Sequence, residues 1–214
     1  MLKERARSDT DTYVRTTAVR ELARGWKGDA DTLPWLKERA VSDKNNDLRT
    51  AAVHEVADHW RDDPTTLRWL KDRARSDENY AVRIAAVQEL ARAWEDDPDT
   101  LPLLKDRARS DQNHEVRRAA VRELTRGWKE DADTLPLLKD RAQFDTDQEV
   151  RNAAVQELAR DWKDDPGTLP LLKERARFDT NPYVRYWAVQ ELARDWKDDP
   201  EVTPLLGVIW PGAA

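Results

Sequence analysis

The chain has 214 residues, 37% of them charged, a formal net charge of −6 and no cysteine. The acidic balance argues against a nonspecific nucleic-acid or anionic-membrane binder, which needs a basic footprint. The lack of cysteine excludes disulfides, cysteine-based zinc sites and cysteine nucleophiles, and the lack of a signal peptide or of an apolar run long enough to cross a bilayer points to a cytoplasmic protein.

Taken in chain order, the first residues, MLKERARSD, align with WLKERAVSD from Trp35. Residues 1–10 therefore read as a truncated leading half-repeat, and the segment is expected to be the C-terminal array of a larger protein. A long helix is predicted over about Val14–Trp26, because Val14, Ala18, Val19, Leu22 and Trp26 recur in steps of three and four. Asp11 is its predicted N-cap, with Asn45, Asn79, Asn113, Asp147 and Asn181 at the equivalent later positions. Pro182 suits the first helical position. A short helix follows over about Leu33–Ala40, with Pro34 in its first turn, where no intrahelical N–H is lost. The Asp63-Pro64, Asp97-Pro98, Asp165-Pro166 and Asp199-Pro200 pairs are predicted to stop the long helix and start a turn.

This helix pair then recurs. Trp26, Trp60, Trp94, Trp128, Trp162 and Trp196 lie 34 residues apart, and so do the series beginning at Arg15 and at Asp9. A chain locked to one period is a stack of repeats. Its high charge is then no sign of disorder, because a stack needs only a thin continuous core. The predicted fold is all-α, an α–α superhelix (solenoid) of six helix pairs, with residues 1–214 as one repeat domain and residues 11–200 as the repeats. After TPLL the expected KERA is replaced by GVIWPGAA. Residues 201–214 are therefore expected to form a C-terminal cap, with Ile209 and Trp210 folded back on the last repeat.

The period of 34 residues matches tetratricopeptide repeats, but the Gly and Tyr that those require are missing. An Asp-containing turn, then Val-Arg, then small Ala residues, as in DENYAVRIAAVQELARAW, instead resembles HEAT-like repeats over essentially the whole chain. That resemblance implies hydrogen bonds between Asp43 and Arg15 or Arg49, and between their equivalents, that tie turn to turn. The second series, Arg39, Arg73, Arg107, Arg141 and Arg175, is expected to lock repeats as well. The tryptophans are expected in the core, covering junctions between units. The cadence W-L-K-x-R-A-x-S-D-x-N-x-x-V-R-x-A-A-V-Q-E-L-A-R-x-W also looks like the arrays at the C-terminal ends of bacterial, often cyanobacterial, NACHT-type NTPases. In that family the array is thought to sense a ligand while a separate NTPase module switches.

Little in the chain suggests chemistry. His54-Glu55 and His114-Glu115 are similar to the paired His-Glu motifs of HEAT-like di-iron hydroxylases. One lies in mid-helix and the other in a turn, so no metal, cofactor or catalytic residue is expected. There is no Gly-rich phosphate loop and no Ser/His/Asp arrangement. HEAT-like DNA glycosylases and phycobilin lyases are analogies of fold alone. The surface remains. In HEAT-like stacks the Val-Arg helix lines the concave side, and its outward positions vary between repeats while the frame does not. Thr50, His54, Ile84, Gln88, Arg118, Arg122, Asn152, Gln156, Tyr183, Tyr186 and Trp187 are the candidate partner-binding residues. The last three form an aromatic anchor, or else an end cap against Ile209 and Trp210. The expected function is a noncatalytic scaffold for a protein or peptide, with no membrane or nucleic-acid partner, as the sensor or interaction segment of a larger NTPase. The alternatives are a nucleic-acid-binding or enzymatic scaffold, and a purely structural array that self-associates through its truncated N-terminal end.

Overall fold

A computed structural model describes residues 2–206. Among these every regular element is a helix, and the chain divides after Arg107 into two compact units. The first holds α1 (Leu2–Ser8), α2 (Thr12–Gly25), α3 (Thr32–Ser42), α4 (Asn46–His59), α5 (Pro64–Ser76) and α6 (Tyr80–Ala93). Helix α7 (Thr100–Ser110) runs across the division. The second unit continues with α8 (His114–Gly127), α9 (Thr134–Phe144), α10 (Gln148–Asp161), α11 (Thr168–Phe178), α12 (Pro182–Asp195) and α13 (Thr203–Leu206). The expected cap residues Ile209 and Trp210 lie outside the described residues.

Each unit is an α-solenoid of helix pairs. A short helix packs on the long helix that follows it, as α3 on α4 and α9 on α10. The long helices also stack on one another, α2–α4–α6 in the first unit and α8–α10–α12 in the second. The apolar stripes meet between the two layers. Leu36, Leu70, Leu138 and Leu172 from the short helices and Val53, Leu90, Leu124 and Leu158 from the long ones are fully buried. Each such side chain contributes about 1.5–3 kcal/mol. Small alanines such as Ala52, Ala86 and Ala154, also fully buried, let the helices approach closely.

The predicted caps form. Asp11 accepts from the N–H groups of Tyr13 and Val14, Asn79 from Ala81 and Val82, and Asn181 from Tyr183 and Val184. Pro182 opens α12. Two boundaries differ from the sequence reading. The short helices extend further, Thr32–Ser42 in the first full repeat, because the threonine at their start is buried and begins the helix. The long helices end one residue before each tryptophan. Trp26, with φ −125° and ψ 30°, leaves the helix while its N–H still donates to the Leu22 carbonyl. The tryptophan, not Asp-Pro, therefore marks the stop. The aspartate N–H three residues on donates back to the tryptophan carbonyl, as Asp63 to Trp60 at 3.1 Å. Pro64 then starts α5 rather than a turn, because Asp63 caps it by accepting from the Thr65 N–H.

Candidate partner-binding face

The recurring residues are absorbed by four kinds of contact within each unit, most of which join one repeat to the next. The first is the Asp–Arg rung. Arg15 reaches Asp43, and Arg49 reaches Asp77 at 2.7 Å. The arginine thus pairs with the aspartate of the following turn, which decides between the two partners the sequence left open. In the second unit the rung is bidentate. Arg117 donates from Nε and Nη2 to Asp145 at 2.9 and 2.7 Å, and Arg151 to Asp179 at 2.9 and 2.8 Å. The remaining Nη1 holds the arginine's own turn, at 2.8 Å to the Asp111 carbonyl and 2.9 Å to that of Asp145. Burial raises the Asp145 and Asp179 carboxyls, but hydrogen bonds from Arg117 or Arg151 and from the turn N–H groups outweigh it and hold both low. The second arginine series closes on the same aspartates. Arg73 reaches Asp77 at 3.0 Å and Arg141 reaches Asp145 at 3.1 Å. Arg107, Arg141 and Arg175 also reach back to carbonyls of the preceding short helix.

The other three contacts were not foreseen. Lysines on short helices of both units reach the turn after the next long helix. Lys71 meets Asp97 and Asp99, Lys139 meets Asp165, and Lys173 meets Asp199 at 2.8 Å and Glu201 at 3.1 Å. A glutamate on each long helix from α4 to α12 is buried, whereas its equivalent on α2, Glu21, is exposed. Glu89 is 4% exposed and Glu157 6%. Burial pushes the carboxyls of Glu55, Glu157 and Glu191 up, against the pull of neighbouring cations. Arg92, Arg126, Arg160 and Arg194 pair with these glutamates from one turn away. In the second repeat Asp58 replaces that arginine, so Glu55 takes His59 at 3.2 Å instead and Asp58 takes Arg92 from the next repeat. Finally, one such cation–indole contact lies in each unit, where the cation after a tryptophan sits over the next indole, Arg61 over Trp94 at 5.9 Å and Lys129 over Trp162 at 5.7 Å. Trp94, Trp128, Trp162 and Trp196 are half-buried lids, so the core placement expected from the sequence holds only at Trp60. Trp60, 9% exposed, is the most enclosed of the six, and Trp26 is 47% exposed. The strict recurrence of the lysine and glutamate was the available signal for the ladders. Periodicity marks a charged residue as constrained without saying whether it is buried.

The candidate binding residues all lie on long helices. In the first unit Thr50 is half-buried and donates to the Asp47 carbonyl of its own helix. His54 reaches across to Glu89 of the next repeat, Ile84 is half-buried and Gln88 is exposed. In the second unit Arg118 is held by Glu115 at 2.5 Å and lies 3.7 Å from Glu149. Arg122 is exposed, and Asn152 and Gln156 are half-buried. The Asn152 Oδ1 is buried without a hydrogen-bond partner. Tyr183, Tyr186 and Trp187 on α12 are 64%, 42% and 39% exposed. Tyr186 and Trp187 meet edge to face, with ring centres 5.4 Å apart. Trp187 stands where interior long helices carry the buried Ala51, Ala85 and Ala153. Phe144 and Phe178, about 70% exposed, occupy the last position of α9 and α11. There Ser42 and Ser76 donate to their own helix. The sequence reading passed over both phenylalanines. His114 lies 3.6 Å from Glu115 and 3.7 Å from Asp147. Among the described residues no group of three His, Asp or Glu is placed to hold a metal ion, and no helix is long and apolar enough to cross a membrane.

A family model for HEAT repeats matches residues 1–91, 67–159, 101–193 and 135–208. No curated protein shows significant sequence similarity. Solved structures that share the fold include the following two. The Escherichia coli protein YibA is 22% identical, with a TM-score of 0.65 over 96% of this chain and 72% of that one. The complex of CpcE and CpcF of the phycocyanin lyase from Nostoc sp. PCC7120 includes a chain 23% identical, with a TM-score of 0.56 over 76% of this chain and 99% of that one.

Proposed function

The chain belongs to the HEAT-repeat family, and from that premise we propose that it is a noncatalytic cytoplasmic scaffold that binds a protein or peptide along the outward face of its long helices. One observation carries the reading. The recurring Asp–Arg rungs join repeats, whereas the outward positions vary and bring three exposed aromatics, Tyr183, Tyr186 and Trp187, together on α12. Tyr and Trp dominate binding hot spots, since they offer large rigid area at low entropic cost. The phycocyanin-lyase neighbour is itself a complex of two chains, which fits a fold used for protein contacts. The cadence shared with NACHT-type arrays supports a finer reading, the ligand-sensing segment of a larger NTPase.

Selection of binding peptides from a displayed library tests the proposal. A Tyr186→Ala, Trp187→Ala variant should bind the selected peptide at least about tenfold more weakly, as for a hot spot near 2 kcal/mol. Its thermal midpoint should be unchanged, because both side chains are exposed. Unchanged affinity would remove α12 from the binding face. Binding of DNA or RNA with a steep salt dependence would favour the nucleic-acid scaffold instead.

A further inference from the structure

Where two long helices stack, the buried glutamate of the later one is met by a side chain of the earlier one. His54 on α4 bonds Glu89 on α6, 35 residues later. Arg20 on α2 lies 3.9 Å from Glu55 on α4. In the second unit Arg122 on α8 holds the same place before Glu157 on α10, and its charge acts to lower that carboxyl. Each of these partners carries or can take a positive charge. Each also comes to the glutamate from solvent, since the Arg20 and His54 side chains are 51% and 42% exposed and Arg122 is exposed. The 34-residue period continues the series to Gln156 on α10 and Glu191 on α12. There a neutral amide stands in place of the cation.

The junction of α10 with α12 is short of donors. Glu191 is 7% exposed, and its Oε2 is buried without a hydrogen-bond partner. Arg194, one turn along the same helix, comes within 2.5 Å but out of line for a hydrogen bond, and its side chain is 53% exposed. Arg160 on α10 acts on Glu191 only through its charge, and burial still pushes the carboxyl up. Gln156 is half-buried. One turn before it, on the same face of α10, stands Asn152, whose Oδ1 is also buried without a partner. At the equivalent positions Thr16 and Thr50 donate to carbonyls of their own helices. Two buried acceptors that lack donors at one junction are the complement of a group rich in donors.

We propose that the α10–α12 junction seats a cationic side chain of the bound peptide, an arginine or a lysine, which enters beside Gln156 and donates to Glu191, with Asn152 as a second acceptor. The inference rests on the outward face being the peptide-binding face, and it assigns the chemistry that this face selects. A guanidinium brings five donors and an ammonium three, each with the charge that Gln156 lacks. The guest completes from outside the pair that Arg20, His54 and Arg122 complete from within the chain. Both sides of the seat are described helices, and the ion pair formed there is largely desolvated, so it discriminates strongly against a neutral side chain.

Heteronuclear NMR of the whole chain tests this, with N-acetyl-arginine amide and its neutral isostere N-acetyl-citrulline amide as probes. The arginine compound should shift the side-chain amides of Asn152 and Gln156, and the citrulline compound should not. Gln156→Arg supplies the cation from within, as Arg122 does one repeat earlier, and should abolish the shift at Asn152 while circular dichroism stays that of the wild type. Glu191→Gln should do the same, and if it perturbs α12, Gln156→Arg carries the test alone. Peptides selected from a displayed library should share a lysine or arginine, and its replacement by glutamine should weaken binding by more than about tenfold. No shift with the arginine compound, equal shifts with both, or shifts that persist in Gln156→Arg would each overturn the proposal. Selected peptides that depend on Tyr186 and Trp187 but bind without a cation would overturn it and leave the peptide-binding reading standing. An arginine shift at Asn152 from a chain that selects no peptide would support the seat and remove that reading instead.

Discussion

Asp145→Asn isolates the charge of one rung while keeping its shape. Asp145 is 3% exposed and accepts from Arg117 at 2.9 and 2.7 Å, from Arg141 at 3.1 Å and from the Asp147 N–H at 2.9 Å. The amide keeps an oxygen for the turn N–H. It offers no charge to Arg117, whose side chain is only 10% exposed, and its NH₂ faces other donors. Breaking a buried pair on one side typically costs about 3–5 kcal/mol, because the remaining charge is buried uncompensated. Here Arg117 still holds the Asp111 carbonyl, so a loss near the lower limit, about 3 kcal/mol, is expected. Urea unfolding followed by circular dichroism reads the total. Amide hydrogen exchange reads the location, which should be the α8–α9–α10 region, because repeats couple to nearest neighbours. Adding Arg117→Met removes the orphaned charge and should restore most of the stability. A loss below about 1 kcal/mol, or a double variant no better than the single, would refute the view that this pair is a desolvated rung.

Further predictions follow from the same ladders. The Asp145 and Asp179 carboxyls are lowered by folding, so their contribution is present above the unfolded value of about 3.9 and is lost as pH falls below it. The Glu55, Glu157 and Glu191 carboxyls are raised, so their contribution is full below the unfolded value of about 4.3 and fades as pH rises through the folded values. The thermal midpoint should therefore rise from neutral to mildly acidic pH and fall steeply below about pH 4, and a profile flat across the acidic range would contradict both assignments. Glu157→Gln should leave stability at neutral pH equal or higher and reduce the gain on acidification, since its partner Arg160 is largely exposed; a loss above about 1 kcal/mol would show that the pair outweighs desolvation. Lys129→Ala should cost about 0.5–1 kcal/mol, and the cost should vanish in a Trp162→Leu background if the cation–ring contact is its source. Phe178→Ser should change stability by less than about 0.5 kcal/mol, because the ring is 71% exposed and the serine hydroxyl can bond the Glu174 carbonyl as Ser76 bonds that of Asp72.

Much of this molecule is local, and local physics is legible in a sequence. Asp11 and Asn79 cap because a short acceptor side chain precedes an amphipathic run, and the helix pairs follow from steps of three and four. The Asp–Arg rung was legible in its members but not in its direction. Arg15 is six residues from Asp9 and 28 from Asp43, and only stacking brings the second within reach. The binding face was legible as a set of varying positions, yet variation does not disclose engagement. Arg118 turned out to be paired and Thr50 folded onto its own helix, while the α12 aromatics are open.

The 34-residue period by itself determined the architecture, because a helix pair that cannot bury its own apolar stripe must bury it against its copies. Only the tertiary structure decided which recurring residues are inside. Glu157 and Trp162 recur equally strictly, but one is buried beside an arginine and the other is a half-open lid under Lys129. Burial depends on what the next repeat places overhead. It is a property of the stack, which no single repeat contains.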